Sequence, residues 1–117
     1  MRYVASQPDE PEIKPLTEPV LLIHLSLVNK PLHGYGLMQD IEMISNGRVR
    51  LSTGTLYGAL RRLLEESWIE RFEQADTSRE KQAYRLTPTG REHLHLELDR
   101  MKQLTRAANA RLKTREA

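Results

Sequence analysis

Apolar residues recur at helical intervals in four stretches of this chain and alternate in a fifth region between the last two. Residues 18–29 carry Val20, Leu21, Leu22, Ile23, Leu25, Leu27 and Val28. At about 100° per residue these positions cover almost the whole helix circumference. A helix that is apolar all round is buried all round, which in a chain of 117 residues points to cover from a partner chain. Thr17-Glu18-Pro19 opens that helix with an N-cap, an acidic first turn and an early proline, and Asn29-Lys30-Pro31 closes it. Leu37, Met38, Ile41 and Ile44 form the stripe of a second helix, opened by His33-Gly34-Tyr35-Gly36 and ended by Asn46-Gly47. Leu56, Leu60, Leu63 and Leu64 form the stripe of a third, with Ser52 as its N-cap and an end near Glu66.

Two short strands are predicted next, at Trp68–Glu73 and Gln82–Leu86, with the polar connection Ala75–Lys81 between them. Thr87 and Pro88 then start a long helix that runs to about residue 113, roughly 39 Å at 1.5 Å per residue. Leu94, Leu98, Met101, Thr105, Ala108 and Leu112 alternate steps of three and four, the spacing of a heptad seam. The upstream part is too small to cover that helix along its length, so the seam is expected to pack on a second copy. Leu21, Leu25, Val28, Leu94, Leu98, Met101, Ala108 and Leu112 are therefore the candidate dimerisation residues.

The third helix carries the most informative polar face. Gly54, Tyr57, Gly58, Arg61, Arg62 and Glu65 lie opposite its leucines. A mid-helix glycine costs roughly 1 kcal/mol relative to alanine, and a bare backbone there admits the close approach of something large. Guanidinium forks match phosphate oxygens or the O6/N7 edge of guanine. The competing reading is an ordinary solvated helix face with a tolerated glycine. The neighbours weigh against it: Arg48 and Arg50 precede the helix, and Arg79 and Lys81 occupy the hairpin after it, where a wing touches duplex DNA. A solvated hairpin tip would account for the last two alone.

Charge distribution agrees with this. Residues 1–47 hold 3 basic and 6 acidic side chains, whereas residues 48–117 hold 15 and 10. The positive half suits a polyanionic partner. Few aromatics are present, which argues against single-strand binding by base stacking. Residues 1–16, with Pro8, Pro11 and Pro15 among Asp9, Glu10 and Glu12, read as a flexible or loosely docked arm, too acidic for minor-groove contact.

Several chemistries are excluded or disfavoured. The absence of cysteine removes disulfides, thiol nucleophiles and cysteine-ligated metals. His93 and His95 are two apart and point to different helix faces, unlike the i, i+4 pair of a helical zinc site. His24 reads as a core or interface histidine. Gly34-x-Gly36 lacks the third glycine and preceding strand of a phosphate-cradling loop. No cofactor and no enzymatic activity are expected. No apolar run nears 18 residues and no signal-peptide pattern begins the chain, so a cytoplasmic protein without membrane partners is expected.

In order, these elements are helix, helix, groove helix, two-stranded wing and long helix. With H-G-Y-G at 33–36, L-S-T-G-T-L-Y-G-A-L at 51–60, W-I-E at 68–70 and Y-R-L-T-P-T-G-R at 84–91, the chain resembles the PadR family of winged-helix transcriptional regulators over about residues 18–112. The resemblance implies a mainly α fold with a small β-hairpin, a winged helix-turn-helix domain plus a long C-terminal dimerisation helix. It divides the chain into an arm at 1–16, a DNA-binding domain at 17–87 and a dimerisation helix and tail at 88–117. It implies a homodimer on double-stranded DNA at a pseudo-palindromic operator, usually as a repressor, and it places Ser52, Thr53, Thr55 and Tyr57 on the DNA-facing segment. The single C-terminal helix matches the short subfamily. Ser67 stands where the family has glycine at the helix stop. The C-terminal helix holds no aromatic residue, which sets it apart from short members that stack flat ligands there. An apolar dimer seam leaves room for a small-molecule effector of unidentified chemistry. The alternative function is a winged-helix adaptor that binds protein through the same surface.

Overall fold

The computed structural model describes residues 16–72 and 82–116. The expected arm, up to residue 15, and the wing tip with Arg79 and Lys81 lie outside the described residues. The elements are helix α1 (Glu18–Ser26), strand β1 (Leu32–His33), helices α2 (Gly34–Ile44) and α3 (Thr53–Glu65), strands β2 (Ile69–Phe72) and β3 (Ala83–Leu86), and helix α4 (Pro88–Glu116). The fold is mainly α with a small antiparallel sheet, as the sequence pattern predicts. The sheet has a third strand that the pattern did not show. β1 pairs with β3 through Leu32↔Tyr84 and His33↔Ala83, giving the order β1-β3-β2. A strand of two residues is too short to show alternation, and only its distant partner defines it.

The helices begin and end as their sequences dictate. Thr17 caps α1 by accepting the Val20 N–H, and Ser52 caps α3 by accepting the Thr55 N–H at 3.2 Å. α1 stops at Ser26, three residues short of the expected end at Asn29, because Leu27 already leaves helical geometry. Both α2 and α3 end in the same six-residue arrangement. Gly47 N–H donates to Glu42 O and Asn46 N–H to Met43 O; Trp68 N–H donates to Leu63 O and Ser67 N–H to Leu64 O. Each needs a residue of positive φ, and Asn46 (56°) and Ser67 (61°) supply it. Ser67 thus holds a left-handed position of the kind that glycine usually takes at a helix stop, and β2 follows where the sequence placed it.

Leu22, Ile23 and Leu27 of α1 and its C-cap, Leu37 and Ile41 of α2, Leu56, Leu60 and Leu63 of α3, and Ile69, Tyr84 and Leu86 of the sheet form one core. Burying each large side chain contributes roughly 1.5–3 kcal/mol. Leu25 and Val28 pack against this core from the side, and Leu21 is half-buried. Within the chain α1 packs chiefly on α2 and α4, which buries Leu22, Ile23 and Leu27 and leaves Leu21, Leu25 and Val28, the expected dimerisation residues, half-buried. Ile44, expected in the α2 stripe, is 42% exposed, whereas the following Ser45 is buried.

α4 divides into two halves. In the first, Leu94 is buried in the chain's own body and Leu98 is half-buried. Glu97, only 1% exposed, accepts from Arg100 Nε and from the Leu16 backbone N–H. Leu16, the last residue of the expected flexible or loosely docked arm, is thereby tied to α4. In the second half Met101, Leu104 and Leu112 are 38%, 50% and 57% exposed, and Ala108 is exposed too. Leu104 flanks the heptad position at Thr105. Thr87 fixes the start of α4: its backbone N–H donates to Trp68 O, its hydroxyl donates to Ser67 O at 2.6 Å and accepts from Gly90 N–H at 3.0 Å.

Three rings meet where α1, the α3–β2 turn and α4 join. His93 lies 4.0 Å from Trp68 between ring centroids, and His24 meets Trp68 edge-on at 5.8 Å. His24 is fully buried, as the sequence suggested, and its Nδ1–H donates to Val20 O at 2.8 Å. Its Nε2 and the Nδ1 of His93 find no hydrogen-bond partner among the described residues. Burial holds the His24 imidazole below its usual pKa, the hydrogen bond to Val20 opposes this, and nearby His93 adds to the lowering.

Candidate nucleic-acid interface

α3 presents a two-sided surface. Leu56, Ala59, Leu60 and Leu63 are buried, while Thr53, Gly54, Thr55, Tyr57, Arg61 and Arg62 are exposed. The space that a Cβ would occupy at Gly54 and Gly58 is open, with nothing within 4 Å. The helix therefore offers bare backbone between its hydroxyls and its arginines, as the sequence argument requires of a groove helix. Ser52 and Thr55 are already engaged with each other: the Ser52 hydroxyl donates to Thr55 Oγ1 at 2.9 Å. Thr53, by contrast, lies in the first turn and is exposed.

The two arginines before α3 are held by acidic neighbours. Arg48 pairs with Glu18 at 2.8 Å and Arg50 with Glu42 at 3.2 Å, each guanidinium about three-quarters exposed. Pairs this exposed contribute about 0–1 kcal/mol, so a phosphate can displace the carboxylate at little cost. The carboxylates also keep both side chains near the start of the groove helix. The Ser45 hydroxyl, which accepts from Val49 N–H at 2.9 Å, fixes the path of the intervening turn.

Tyr57 departs from the expected picture. It is 42% exposed, but its hydroxyl end lies over Gly34, the first residue of α2. Tyr84 of β3 is close enough to feel it. Burial raises the Tyr84 hydroxyl above its usual pKa, Tyr57 raises it further and Arg71 partly offsets both. Arg71 of β2 stands opposite Tyr84 in the strand register and is exposed. It belongs to the same basic surface, and the sequence reading passed over it. Alternation alone puts Arg71 on the face of buried Ile69, so the strand pattern gave no sign that it is exposed. Arg85 pairs with Glu70 at 3.3 Å and lies over the Phe72 ring at 4.9 Å, on the other face of the sheet.

The described interface thus gathers Arg48, Arg50, Ser52, Thr53, Thr55, Tyr57, Arg61 and Arg62 at α3 and its approach. Arg79 and Lys81 fall outside the described residues. Of the expected dimerisation residues, Leu94 is buried within the chain, whereas Met101, Ala108 and Leu112 face outward. No described helix is long and apolar enough to cross a membrane.

Residues 21–96 match the sequence model of the transcriptional regulator PadR-like family. A curated relative, an uncharacterized 37.1 kDa protein in transposon TN4556 of Streptomyces fradiae, is 38% identical over 85 residues. Those residues make up 73% of this chain but only 23% of that protein. Among solved structures, a PadR family transcription regulator from Clostridium difficile superposes with a TM-score of 0.68 at 22% identity, covering 82% of this chain and 99% of that one. A PadR-like transcription factor from Bacteroides fragilis gives 0.63 at 25% identity, covering 78% and 86%. Bacillus subtilis PadR in complex with operator DNA gives 0.58 at 25% identity, covering 68% and 46%.

Proposed function

The chain belongs to the PadR-like family of transcriptional regulators, and from that premise we propose that it is a homodimeric repressor that binds a pseudo-palindromic operator in double-stranded DNA. The observation that carries this reading is the outer face of α3, where exposed hydroxyls, open glycines and two arginines stand over a fully buried leucine side. Thr53, Thr55, Tyr57 and Arg61 are the base-edge candidates, and Arg48, Arg50, Arg62 and Arg71 supply phosphate contacts. Arg79 and Lys81 on the wing would add to these. The PadR of Bacillus subtilis, which is similar to this chain in fold, was solved with operator DNA, and that supports the assignment of α3 to a major groove.

Dimerisation is supported by the second half of α4, whose Met101, Thr105, Ala108 and Leu112 lie exposed at heptad spacing with Leu104 exposed beside them. Two chains joined there would present two copies of α3 to successive turns of the duplex. Repression follows if the dimer covers promoter DNA. The same seam is where an effector, if one exists, would act on the spacing of the two reading helices. The protein functions without a catalytic centre in this account. An adaptor role would call for an apolar outer face on α3, whereas that face carries arginines.

Fluorescence anisotropy with a bound duplex, paired with sedimentation equilibrium, tests the proposal. The account expects twice the chain mass at micromolar concentration and one dimer per site. Arg61→Ala should weaken cognate binding by about 1–3 kcal/mol if the guanidinium reads a base. A monomer that binds no duplex would overturn it.

A further inference from the structure

The inference rests on the DNA-binding reading above and concerns what holds the reading surface in place. The Tyr57 ring crosses from α3 to the first residue of α2. A methyl group at Gly34 would stand 2.4 Å from the Tyr57 hydroxyl oxygen and 2.9 Å from Cζ. Gly34 itself is buried, so it has no access to a duplex. Leu32, two residues earlier, is the register partner of Tyr84, the residue whose hydroxyl Tyr57 perturbs. The ring is therefore seated in a corner made by the β1–α2 junction, β3 and α3. Its exposed side remains on the same helix face as Thr53 and Arg61, four residues away on either side.

A tyrosine on an open helix face samples several rotamers and must be ordered when a partner binds. Seated on Gly34, it is ordered beforehand. We infer that Gly34 is a positioning residue for the DNA-reading face: by lacking a side chain it seats the Tyr57 phenol and pre-orients it, between Thr53 and Arg61, for the duplex. An alanine at 34 would meet only the far end of a rotatable side chain. The ring would swing out while the backbone stays, so the loss should fall on recognition before it falls on folding.

A double-mutant cycle tests this with wild type, Gly34→Ala, Tyr57→Ala and the pair, each titrated on the duplex that the wild type selects. G34A should weaken specific binding about tenfold and leave the salt slope unchanged, because no phosphate-pairing cation is lost. In the Y57A background, adding G34A should have no further effect. An equal loss in both backgrounds, or no loss in the wild-type background, overturns the inference. Should G34A fail to fold, the thermal transition decides: recovery in G34A/Y57A supports the seat, and no recovery overturns it. A wild type that selects no duplex defeats the DNA-binding reading itself, whereas a wild type and a G34A that bind equally well defeat only the seat.

Discussion

Replacing Gly90 with alanine should destabilise the protein, although the residue lies in a helix, where that exchange normally stabilises. Alanine is favoured over glycine in a helix by roughly 1 kcal/mol. At position 90 the new Cβ would lie 2.0 Å from the Trp68 carbonyl oxygen and 2.9 Å from its carbonyl carbon, both backbone atoms. Relief to ordinary contact requires the first turn of α4 to move by more than about 1 Å, a distortion of the kind that costs about 1–3 kcal/mol. The same movement strains the Thr87 N–H to Trp68 O and Thr87 hydroxyl to Ser67 O hydrogen bonds, worth about 1 kcal/mol each. The cost of about 3–5 kcal/mol exceeds the helix gain, leaving a net loss of about 2–4 kcal/mol. Urea unfolding followed by far-UV circular dichroism measures it, with Gly58→Ala as the control. Gly58 has open space around it, so the same chemical change there should stabilise by about 0.5–1 kcal/mol. If G90A is neutral or stabilising, the clamp between α4 and the α3–β2 turn does not exist as described.

Three further outcomes follow from the same reasoning. G58A, while raising stability, should weaken duplex binding, because the methyl occupies the bare backbone over which DNA would lie; unchanged anisotropy titrations would count against that approach. Ser67→Gly should stabilise by about 0.5–1 kcal/mol, since the left-handed backbone at φ 61° strains serine and not glycine, and a lowered unfolding midpoint would contradict this. Stability should fall as pH drops below 6.5, the ordinary histidine value. The unfolded His24 takes up a proton there while the buried one resists, so the unfolded state binds more protons and is favoured. A second loss should follow below 4.5 as Glu97 protonates, because Arg100 and the Leu16 N–H, opposing the upward push of burial, hold its carboxyl below that value. Thermal melts from pH 8 to 4 on wild type and His24→Gln should differ mainly in the upper window; parallel curves would remove His24 from the explanation.

What was legible in the sequence was local. Ser52, Thr17 and Thr87 announce helix starts because a cap acts within three residues, and Asn46-Gly47 announces a stop for the same reason. The leucine stripe of α3 also read correctly as helical periodicity. The unforeseen features depend on distant contacts. β1 exists only through Tyr84, some fifty residues away. Glu97, a charged residue in a seam of leucines, is buried because it receives the Leu16 N–H from 81 residues earlier. The pattern of α1 said that it is apolar all round, but not that its own chain would bury Leu22, Ile23 and Leu27 and leave Leu21, Leu25 and Val28 half-covered. At the candidate site, the identity of the exposed face followed from a 100° projection, but the turn of the Tyr57 ring toward Gly34 did not. A projection gives the direction of Cβ and says nothing of where a long side chain comes to rest.

The central claim is that two copies of α3 read a duplex together. Selection from a random double-stranded pool at two salt concentrations, followed by sequencing, tests it most directly. The account predicts an enriched inverted repeat whose half-site centres lie about one helical turn, or a multiple of it, apart, with enrichment that falls as salt rises. No enrichment at low salt, or a single unrepeated site bound by one chain, would contradict it.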